Sequence, residues 1–331
     1  DGEPFRQSWQ GLSVNPFDPL YEICNSGTNR EKYDGLREFP RIIDLELTNA
    51  CNFRCLMCPT GNLSMKRLTG FMTEEVFECI VDDCKPHKTA LRFIGWGEPT
   101  MHPDLPRFIK MAHDAGLLTH LNTNGSKMTE ELAEDLIEAG LDSIKFSFQG
   151  VDKESFAEMR NIDWFPELLD TIRMFSGIRN SRPFPFIAVS TTTTHETPEK
   201  IELFRRDMES LVDQVSIGKT VFRFIDQRAV RLSEEEKQTL ARLSEFEPDD
   251  LHHPKPCPEV FDKLSIHFDG TVAVCCNDYN GVAEMANILK VPISLIWMDK
   301  GIEAYREKLA NDDYSSKNCD VCYDYLELQN G

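Results

Sequence analysis

Three cysteines near the start of the chain have a spacing that suits a shared metal centre. Cys51, Cys55 and Cys58 lie in the run TNACNFRCLMCPTG, directly after a β-rich stretch, so one loop at the end of a predicted strand carries all three thiols. Thiolates are the usual ligands of cubane iron–sulfur clusters. Three ligands leave one iron open, and an open metal position can bind a reactant. Taken alone, the three residues also allow a zinc site.

A second group of cysteines lies near the carboxyl end of the chain. Its members are Cys257, Cys275, Cys276, Cys319 and Cys322. The Asp269-Gly270 pair between two β-rich runs predicts a hairpin, which brings the first cysteines of the group to one side of a turn. The last two are two residues apart, as in shared metal sites. Four thiolates close a site around either an iron–sulfur cluster or a zinc ion, and the spacing from Gly270 favours Cys275 over its neighbour Cys276 as a ligand.

Composition sets the expected compartment and excludes some classes of partner. No apolar run in the 331 residues approaches the roughly 20 that span a bilayer, so we expect a cytoplasmic protein and no membrane partner. In that reducing compartment, eleven cysteines favour metal ligands over disulfides. A formal net charge of −20 would repel a phosphate backbone, so nucleic acid is not an expected partner, whereas a cationic substrate would be tolerated.

Short β-rich runs alternate with amphipathic helical stretches from residue 41 onward. The six predicted strands cover residues 41–48, 90–97, 117–124, 143–150, 186–193 and 214–221. Helical patterns lie between them at residues 73–84, 104–115, 129–139 and 198–212. Six βα units in succession predict a parallel sheet curled into part of a barrel, and ligands then collect at the carboxyl ends of the strands.

Three parts are predicted along the chain. Residues 1–40 form an arm with one short helix packed on the barrel, residues 41–245 form the barrel, and residues 246–331 form a small appended domain. A stretch rich in proline and charge at 245–256 links the last two parts. The predicted fold class is therefore α/β, a partial (β/α)6 TIM-like barrel followed by a small domain made of a β-hairpin and a helix.

The first cysteine group resembles the C-x3-C-x2-C signature of the radical S-adenosylmethionine (SAM) superfamily. In that family the three cysteines hold a [4Fe-4S] cluster whose open iron binds the amine and carboxylate of SAM. Reductive cleavage of SAM then gives a 5′-deoxyadenosyl radical that takes a hydrogen atom from the substrate. The resemblance implies that Cys51, Cys55 and Cys58 are cluster ligands and that Met57 lies near the adenine of SAM.

Further motifs at the ends of later strands resemble SAM contacts of the same family. The run Gly95-Trp96-Gly97-Glu98-Pro99 is similar to the glycine-rich turn that holds the SAM amino group, where glycine permits close approach of the ligand. The resemblance thus implies a set of SAM-binding residues: Met57, Gly95, Gly97, Glu98, Asn124, Ser147, Gln149 and Arg160.

The second cysteine group resembles the SPASM/twitch appendage of radical SAM enzymes. With no cysteine after Cys322, the shorter twitch form with one auxiliary [4Fe-4S] cluster is expected. Its implied ligands are Cys257, Cys275, Cys319 and Cys322. The layout is similar to that of the twitch-bearing cyclitol dehydrogenase of aminoglycoside biosynthesis.

That likeness implies an oxidoreductase of natural-product biosynthesis that acts on a sugar or cyclitol. After hydrogen abstraction, either the auxiliary cluster takes a second electron in a dehydrogenation, or a thiol returns hydrogen in an epimerisation. A reductant such as flavodoxin or ferredoxin is expected. We expect Cys276, or alternatively Cys24, as hydrogen donor, and Arg223 and His195 as aids to proton removal.

Radical modification of a ribosomally made peptide is the main alternative, because many relatives with SPASM or twitch domains act on precursor peptides. About 40 residues precede the first predicted strand, too few for the leader-binding domain common in such enzymes, which disfavours this alternative. Clusters that only carry electrons or sense oxygen do not account for the open three-cysteine site. Cys79 and Cys84, in or just after a predicted helix, are expected to be buried small hydrophobes.

Overall fold

The computed structural model describes residues 14–247, 256–316, 318, 319 and 322. One sheet in it contains the strands β1 (Ile42–Leu45), β2 (Ala90–Phe93), β3 (Thr119–Thr123), β4 (Ser143–Ser147), β5 (Phe186–Thr193), β6 (Gln214–Lys219), β7 (Lys263–Ile266), β8 (Thr271–Ala273) and β9 (Glu284–Asn287). Their order is β6-β5-β4-β3-β2-β1-β7-β8-β9. The first six strands pair in parallel, which confirms the predicted α/β partial barrel.

The helices lie before, between and after these strands. They are α1 (Asp18–Asn25), α2 (Asn29–Asp34), α3 (Glu74–Cys84), α4 (Leu105–Asp114), α5 (Glu130–Glu138), α6 (Lys153–Arg160), α7 (Phe165–Arg179), α8 (Pro198–Glu209), α9 (Glu234–Ser244), α10 (Pro258–Phe261), α11 (Ile293–Trp297) and α12 (Lys300–Ala310). Among the helices of the described ranges, none is both long enough and apolar enough to cross a membrane.

Side-chain caps start the crossover helices where the sequence predicted them. The hydroxyl of Thr73 accepts a hydrogen bond from the main-chain N–H of Val76 at 3.4 Å, and α3 begins at the next residue. Thr129 caps α5 in the same way through Leu132 at 3.1 Å. Such caps satisfy N–H groups that have no partner within the helix. The apolar faces of these helices then cover the outer side of the sheet and close one large core.

The predicted hairpin continues the barrel sheet. Strand β7 pairs in parallel with β1, so that Ile42 lies opposite Lys263 and Leu45 opposite Ile266. The turn between β7 and β8 is at Gly270, whose φ of +82° favours glycine. The carboxyl-terminal cysteines are thus built onto the strand beside β1, the strand that leads into the first cysteine group. The division at residues 40 and 245 stays a prediction, and most of the predicted linker lies outside the described residues.

The amino-terminal segment closes the lower end of the barrel. It contains two short helices, α1 and α2, where one was predicted. Phe17 is fully buried with its ring 5.4 Å from that of His120, and the ring of Tyr21 lies 5.7 Å from the Arg92 guanidinium. Cys24 packs here with the first residues of β1 and β2. Ligands therefore have access to the barrel from the opposite end, where the strands finish.

Candidate functional site: two cysteine centres and the barrel lumen

The first cysteine group lies on a tightly folded loop after β1. The N–H of Cys58 donates to the carbonyl of Cys55 at 3.2 Å, and the N–H of Leu56 donates to the carbonyl of Met159 at 3.0 Å. A Cβ atom at Gly61 would lie only 2.3 Å from the Cys55 carbonyl oxygen, so the loop folds back on itself where only glycine fits. Main-chain contacts therefore hold Cys55 and Cys58 close together in this loop.

The three thiols influence one another electrostatically. Burial raises the pKa of Cys51 to about 12 and that of Cys58 to about 11, and the neighbouring Cys55 adds to both shifts. Protein groups alone therefore keep at least two of these thiols protonated. A bound cationic cluster reverses this balance, because metal coordination deprotonates a thiol.

Two of the predicted SAM-binding residues contact the sulfur atoms. Nη1 of Arg160 lies 3.6 Å from Sγ of Cys55, and its Nη2 donates to the carbonyl of Ser147 at the end of β4. Nδ2 of Asn124 lies 3.8 Å from Sγ of Cys51. Arg160 is buried, and its Nε has no hydrogen-bond partner within the described part of the chain. The loop is therefore flanked by a buried cation with a spare donor, as a carboxylate-bearing ligand requires.

Glu98 joins the turns that follow β2 and β3. Its Oε1 accepts hydrogen bonds from the N–H and hydroxyl of Thr100 and from the hydroxyl of Thr123, at 2.6 to 3.0 Å. Its Oε2 accepts from the N–H of Asn124 at 2.7 Å. Both oxygens of this buried carboxylate are thus used by protein donors. These contacts favour a positioning role for Glu98 over the direct SAM contact that the sequence predicted.

The glycines of the same turn are required by contacts within the protein. A Cβ atom at Gly97 would lie 2.0 Å from the carbonyl oxygen of Thr48 and 2.6 Å from that of Ala50. At Gly95 it would lie 2.8 Å from the Glu46 side chain. The sequence analysis attributed these glycines to close approach of a ligand. The structure adds another reason, since the turn packs directly on the segment between β1 and the cysteine loop.

The remaining predicted SAM-binding residues lie around the same opening. Met57 is partly buried between the large core and a smaller apolar cluster that includes Phe222 and Phe224. Oε1 of Gln149 accepts a hydrogen bond from the hydroxyl of Thr192 at 2.6 Å, which ties the end of β4 to β5. Their contacts with SAM stay predictions.

The four predicted auxiliary ligands line one enclosed cavity. Its wall includes Cys257, Cys275, Cys319 and Cys322, together with Tyr305, Leu309 and Tyr314. Burial raises the pKa of Cys257 and of Cys275 well above the ordinary thiol value. In the described ranges no three His, Cys, Asp or Glu side chains converge closely enough for a single metal ion. All four cysteines therefore line one space, as shared ligands of a multi-iron cluster must.

Asn29, which the sequence analysis missed, supports this auxiliary cavity. Its Oδ1 accepts a hydrogen bond from the N–H of Cys257 at 2.8 Å, and its Nδ2 donates to the hydroxyl of Tyr314 at 3.0 Å. Asn29 is the first residue of α2, and a capping box of Thr28 and Glu31 fixes that helix start. The capping box is visible in the sequence, but no local pattern indicates a contact 228 residues away.

A second cavity, of about 400 Å³, lies inside the barrel and is called the lumen here. Its polar lining comes from five strands or the turns after them and consists of Asp44, Glu46, Arg92, Asn122, Lys145, Lys263, Ser265 and His267. The sequence analysis missed all of these residues. One sequence pattern could have indicated them: polar residues occupy every second position at the end of β1 and along β7. A strand buried on both faces is normally apolar throughout, so this alternation indicates a polar cavity on one face.

Most charges of the lumen are paired within the protein. Arg92 lies 3.0 Å from Asp44, and Arg67 makes two 2.7 Å contacts with Glu46. Nζ of Lys263 lies 3.1 Å from Oε1 of Glu259, and both side chains are more than 90% buried. The lumen is therefore polar but close to electrically balanced.

Cys276 lies between the lumen and the auxiliary cavity and lines both. Its carbonyl accepts a hydrogen bond from Nε1 of Trp96 at 2.9 Å, and its N–H donates to Oε2 of Glu259 at 3.2 Å. The hydroxyl of Thr60, in the first cysteine loop, donates to the carbonyl of Trp96 at 2.6 Å. Trp96 therefore links the first cysteine loop to the wall of the auxiliary cavity.

The other predicted catalytic residues are not part of the lumen lining. Nε of Arg223 pairs with Glu247 at 2.7 Å, beside a surface cleft. The ring of His195 lies 5.1 Å from that of Phe246 and is about one-third exposed. Their part in proton removal stays a prediction that the lumen geometry does not support. Cys24 lies at the closed end of the barrel, which also separates it from the cysteine loops.

The two spare cysteines on α3 differ in burial. Cys84 is fully buried, as expected for a small hydrophobe, and burial raises its pKa. Cys79 is only partly buried, so the expectation of burial holds for one of the two.

Comparison with known proteins assigns both cysteine groups to known protein families. Residues 45–208 match the family model of the radical SAM superfamily, and residues 257–323 match that of the SPASM iron-sulfur cluster-binding domain. The chain is 30% identical over 164 residues to the AdoMet-dependent heme synthase of Methanosarcina barkeri, covering 49% of this chain and 45% of that protein. It is also 30% identical over 114 residues to the PqqA peptide cyclase of Bradyrhizobium diazoefficiens, covering 34% and 30%. The chain thus spans less than half the length of these relatives.

Solved structures show the same fold at low identity. The structure of BtrN in complex with AdoMet and 2-DOIA has a TM-score of 0.56 and 18% identity, with 87% of this chain and 99% of that chain covered. Streptococcus suis SuiB bound to the precursor peptide SuiA has a TM-score of 0.61 and 15% identity, with 88% and 72% covered. Since one family model spans the first cysteine loop and the other spans the auxiliary cavity, the chain belongs to the radical SAM superfamily and is an enzyme that uses SAM, a [4Fe-4S] cluster and auxiliary iron–sulfur ligation in a SPASM domain.

Proposed function

We propose that the enzyme dehydrogenates a sugar or cyclitol bound in the lumen and passes the second electron to the auxiliary cluster. The observation that carries this proposal is the position of Cys276, which lines both cavities. A substrate in the lumen is then separated from the auxiliary centre by a single wall. Proximity of this kind is what a second one-electron transfer needs.

The proposed reaction removes two hydrogens from one carbinol group. A [4Fe-4S] cluster held by Cys51, Cys55 and Cys58 would supply the 5′-deoxyadenosyl radical from bound SAM, after one electron from a flavodoxin- or ferredoxin-type donor. The substrate's C–H hydrogen atom passes to that radical and gives 5′-deoxyadenosine. The carbinol radical then releases its O–H proton and one electron, and a carbonyl forms. An auxiliary cluster held by Cys257, Cys275, Cys319 and Cys322 would accept that electron, so that one electron would enter and one would leave in each turnover.

The shape of the lumen supports a small polar substrate. Its volume of about 400 Å³ suits a ring-sized molecule, and eight of its lining side chains are polar. BtrN, whose structure contains AdoMet with 2-DOIA, is covered over 99% of its length by this chain. Both points support a small molecule as substrate.

Epimerisation is a second candidate because the same Cys276 lines the lumen. Its thiol would return a hydrogen atom to the substrate radical from the opposite face. The resulting thiyl radical would then be reduced by one electron from the reductant and take up one proton. Dehydrogenation and epimerisation thus differ in the fate of one electron.

Peptide modification is supported by a different feature. A surface cleft lined by residues 223–229 and 277–282 meets the auxiliary cavity at Asn277, and an open cleft suits an extended ligand. SuiB bound to a precursor peptide shares the fold. The small lumen favours the sugar or cyclitol, so peptide modification remains the second class of substrate.

Product masses in deuterated water separate these reactions. The anaerobically reconstituted enzyme would be reduced with SAM beside amino sugars, cyclitols and nucleotide sugars. Loss of two hydrogens indicates dehydrogenation, and gain of one carbon-bound deuterium that Cys276→Ala abolishes indicates epimerisation. Cys79→Ala, a partly exposed cysteine on α3, is the matched control. Cleavage of SAM without change in any sugar or cyclitol would contradict the proposal and favour a peptide.

A further inference from the structure

Strand β7 presents alternate residues to the lumen. The polar side chains Lys263, Ser265 and His267 line the lumen, whereas Leu264 is 1% exposed and packs in the apolar core; Ile266, also 1% exposed, belongs to that core and borders the lumen. This follows from the two-residue period of a strand. The SPASM part of the chain thus supplies one wall of the cavity in which we place the substrate.

Two polar atoms on this wall lack partners. Within the described part of the chain, neither Oγ of Ser265 nor Nδ1 of His267 has a hydrogen-bond partner. The two residues are only 6% and 5% exposed. Buried polar groups in folded proteins nearly always have a partner, and an unsatisfied one needs an explanation. A ligand with hydrogen-bonding groups supplies one.

The charged neighbours of this wall have their own partners. Lys263 pairs with Glu259, and Arg67 pairs with the Glu46 carboxylate near His267. Burial, the largest effect, lowers the pKa of His267 below its ordinary value, so the ring is neutral at pH 7. A neutral imidazole and a hydroxyl each both donate and accept hydrogen bonds. Their natural partners are neutral hydroxyl groups.

We propose that Ser265 and His267 bind two hydroxyl groups of the substrate and so select a neutral, ring-sized polyol. Two residues along a strand are about 6.6 Å apart, which one six-membered ring with its substituents can span. This inference rests on the proposed function only for the location of the substrate. It favours a neutral substrate over the cationic one that the net charge would tolerate.

Binding to the reconstituted, SAM-loaded enzyme tests the inference without turnover. The probes are myo-inositol as neutral polyol, glucosamine as cation and glucuronate as anion, titrated anaerobically by calorimetry. We expect myo-inositol to bind best, with affinity reduced about tenfold by Ser265→Ala and by His267→Phe, since each loses one buried hydrogen bond. His267→Gln keeps a donor and an acceptor and should recover part of the affinity.

Two controls separate binding from folding. Ser216→Ala removes an exposed strand hydroxyl on β6 and should change nothing. Iron content and thermal melting of each variant report whether it is folded and loaded with its clusters. Equal affinity of myo-inositol for wild type, Ser265→Ala and His267→Phe overturns the inference, as does failure of wild type to bind any neutral polyol.

The two proposals fail in different ways. If myo-inositol binds and both variants weaken it, but no member of the substrate panel loses two hydrogens, the dehydrogenation is wrong and the binding site stands. If a sugar or cyclitol is dehydrogenated with unchanged KM in Ser265→Ala and His267→Phe, the function stands and the assignment of this wall is wrong.

Discussion

Replacing Glu98 by glutamine should loosen both turns beside the first cysteine loop. The carboxylate is 2% exposed and accepts four hydrogen bonds, two from Thr100, one from Thr123 and one from the N–H of Asn124. An amide has one acceptor oxygen, so keeping the first three bonds turns its NH2 group toward the Asn124 N–H. One buried unsatisfied N–H costs about 1–3 kcal/mol, and the other bonds lose their charge assistance. We expect a total loss of about 2–5 kcal/mol.

Thermal melting and SAM binding measure this loss in the reconstituted enzyme. The Tm of Glu98→Gln should fall by roughly 3–7 °C. SAM affinity should fall with it, because Asn124 holds its side chain beside Sγ of Cys51. Iron content should stay unchanged, since no cysteine is altered. Glu134→Gln, on the exposed face of α5, is the control and should melt like wild type.

The refuting result is a wild-type Tm combined with weak SAM binding. It would mean that the carboxylate contacts SAM directly, and the positioning role drawn from its four hydrogen bonds would be wrong. A variant that matches wild type in both measurements would contradict either role for Glu98.

Three further predictions concern the other buried polar groups. Asn29→Ala should release iron to a chelator several-fold faster than wild type, because the N–H of Cys257 loses its acceptor. Lys263→Met should destabilise the protein by about 3–5 kcal/mol by leaving the Glu259 carboxylate buried without a counterion, and adding Glu259→Gln should restore most of the lost Tm. Stability should fall below pH 6.5 through His120, whose pKa burial holds well below that value. The unfolded chain then binds a proton that the folded chain does not, at about 1.4 kcal/mol per pH unit, and His120→Gln should flatten this slope in melts between pH 7.5 and 5.5.

Each of these three has a result that counts against it. Equal iron release in wild type and Asn29→Ala would show that Cys257 needs no such support. Additive losses in Lys263→Met and Glu259→Gln would mean that the two groups are not coupled. An unchanged slope in His120→Gln would assign the acid lability to other groups, such as His267, whose pKa is also lowered by burial.

Local sequence patterns were sufficient for the six barrel strands and for four of the helices between them, α3, α4, α5 and α8, whereas α6 and α7 were not predicted. Each of these strands contains its own β-rich run, and the crossover helices start at cap residues such as Thr73 and Thr129. The cysteine spacings and the Asp269-Gly270 turn are equally local. Features fixed by neighbours in the chain were therefore predictable.

Contacts between distant segments were not predictable in the same way. Nothing near Lys263 indicates that β7 pairs with β1, and nothing near Asn29 indicates Cys257. The polar alternation along β7 was present in the sequence, but its meaning depends on that pairing, which turns Ser265 toward the lumen. Glu98 was assigned to the correct region, whereas its partners across two turns required the structure.

The pairing of β1 with β7 has a consequence for synthesis in the cell. About 220 residues separate Ile42 from its partner Lys263. At about 5–20 residues per second, the ribosome needs roughly 10–40 s to make that stretch. Throughout that interval one edge of β1 has no neighbouring strand, and an open edge invites pairing with other chains. Slow growth and abundant chaperones should therefore improve the yield of folded enzyme.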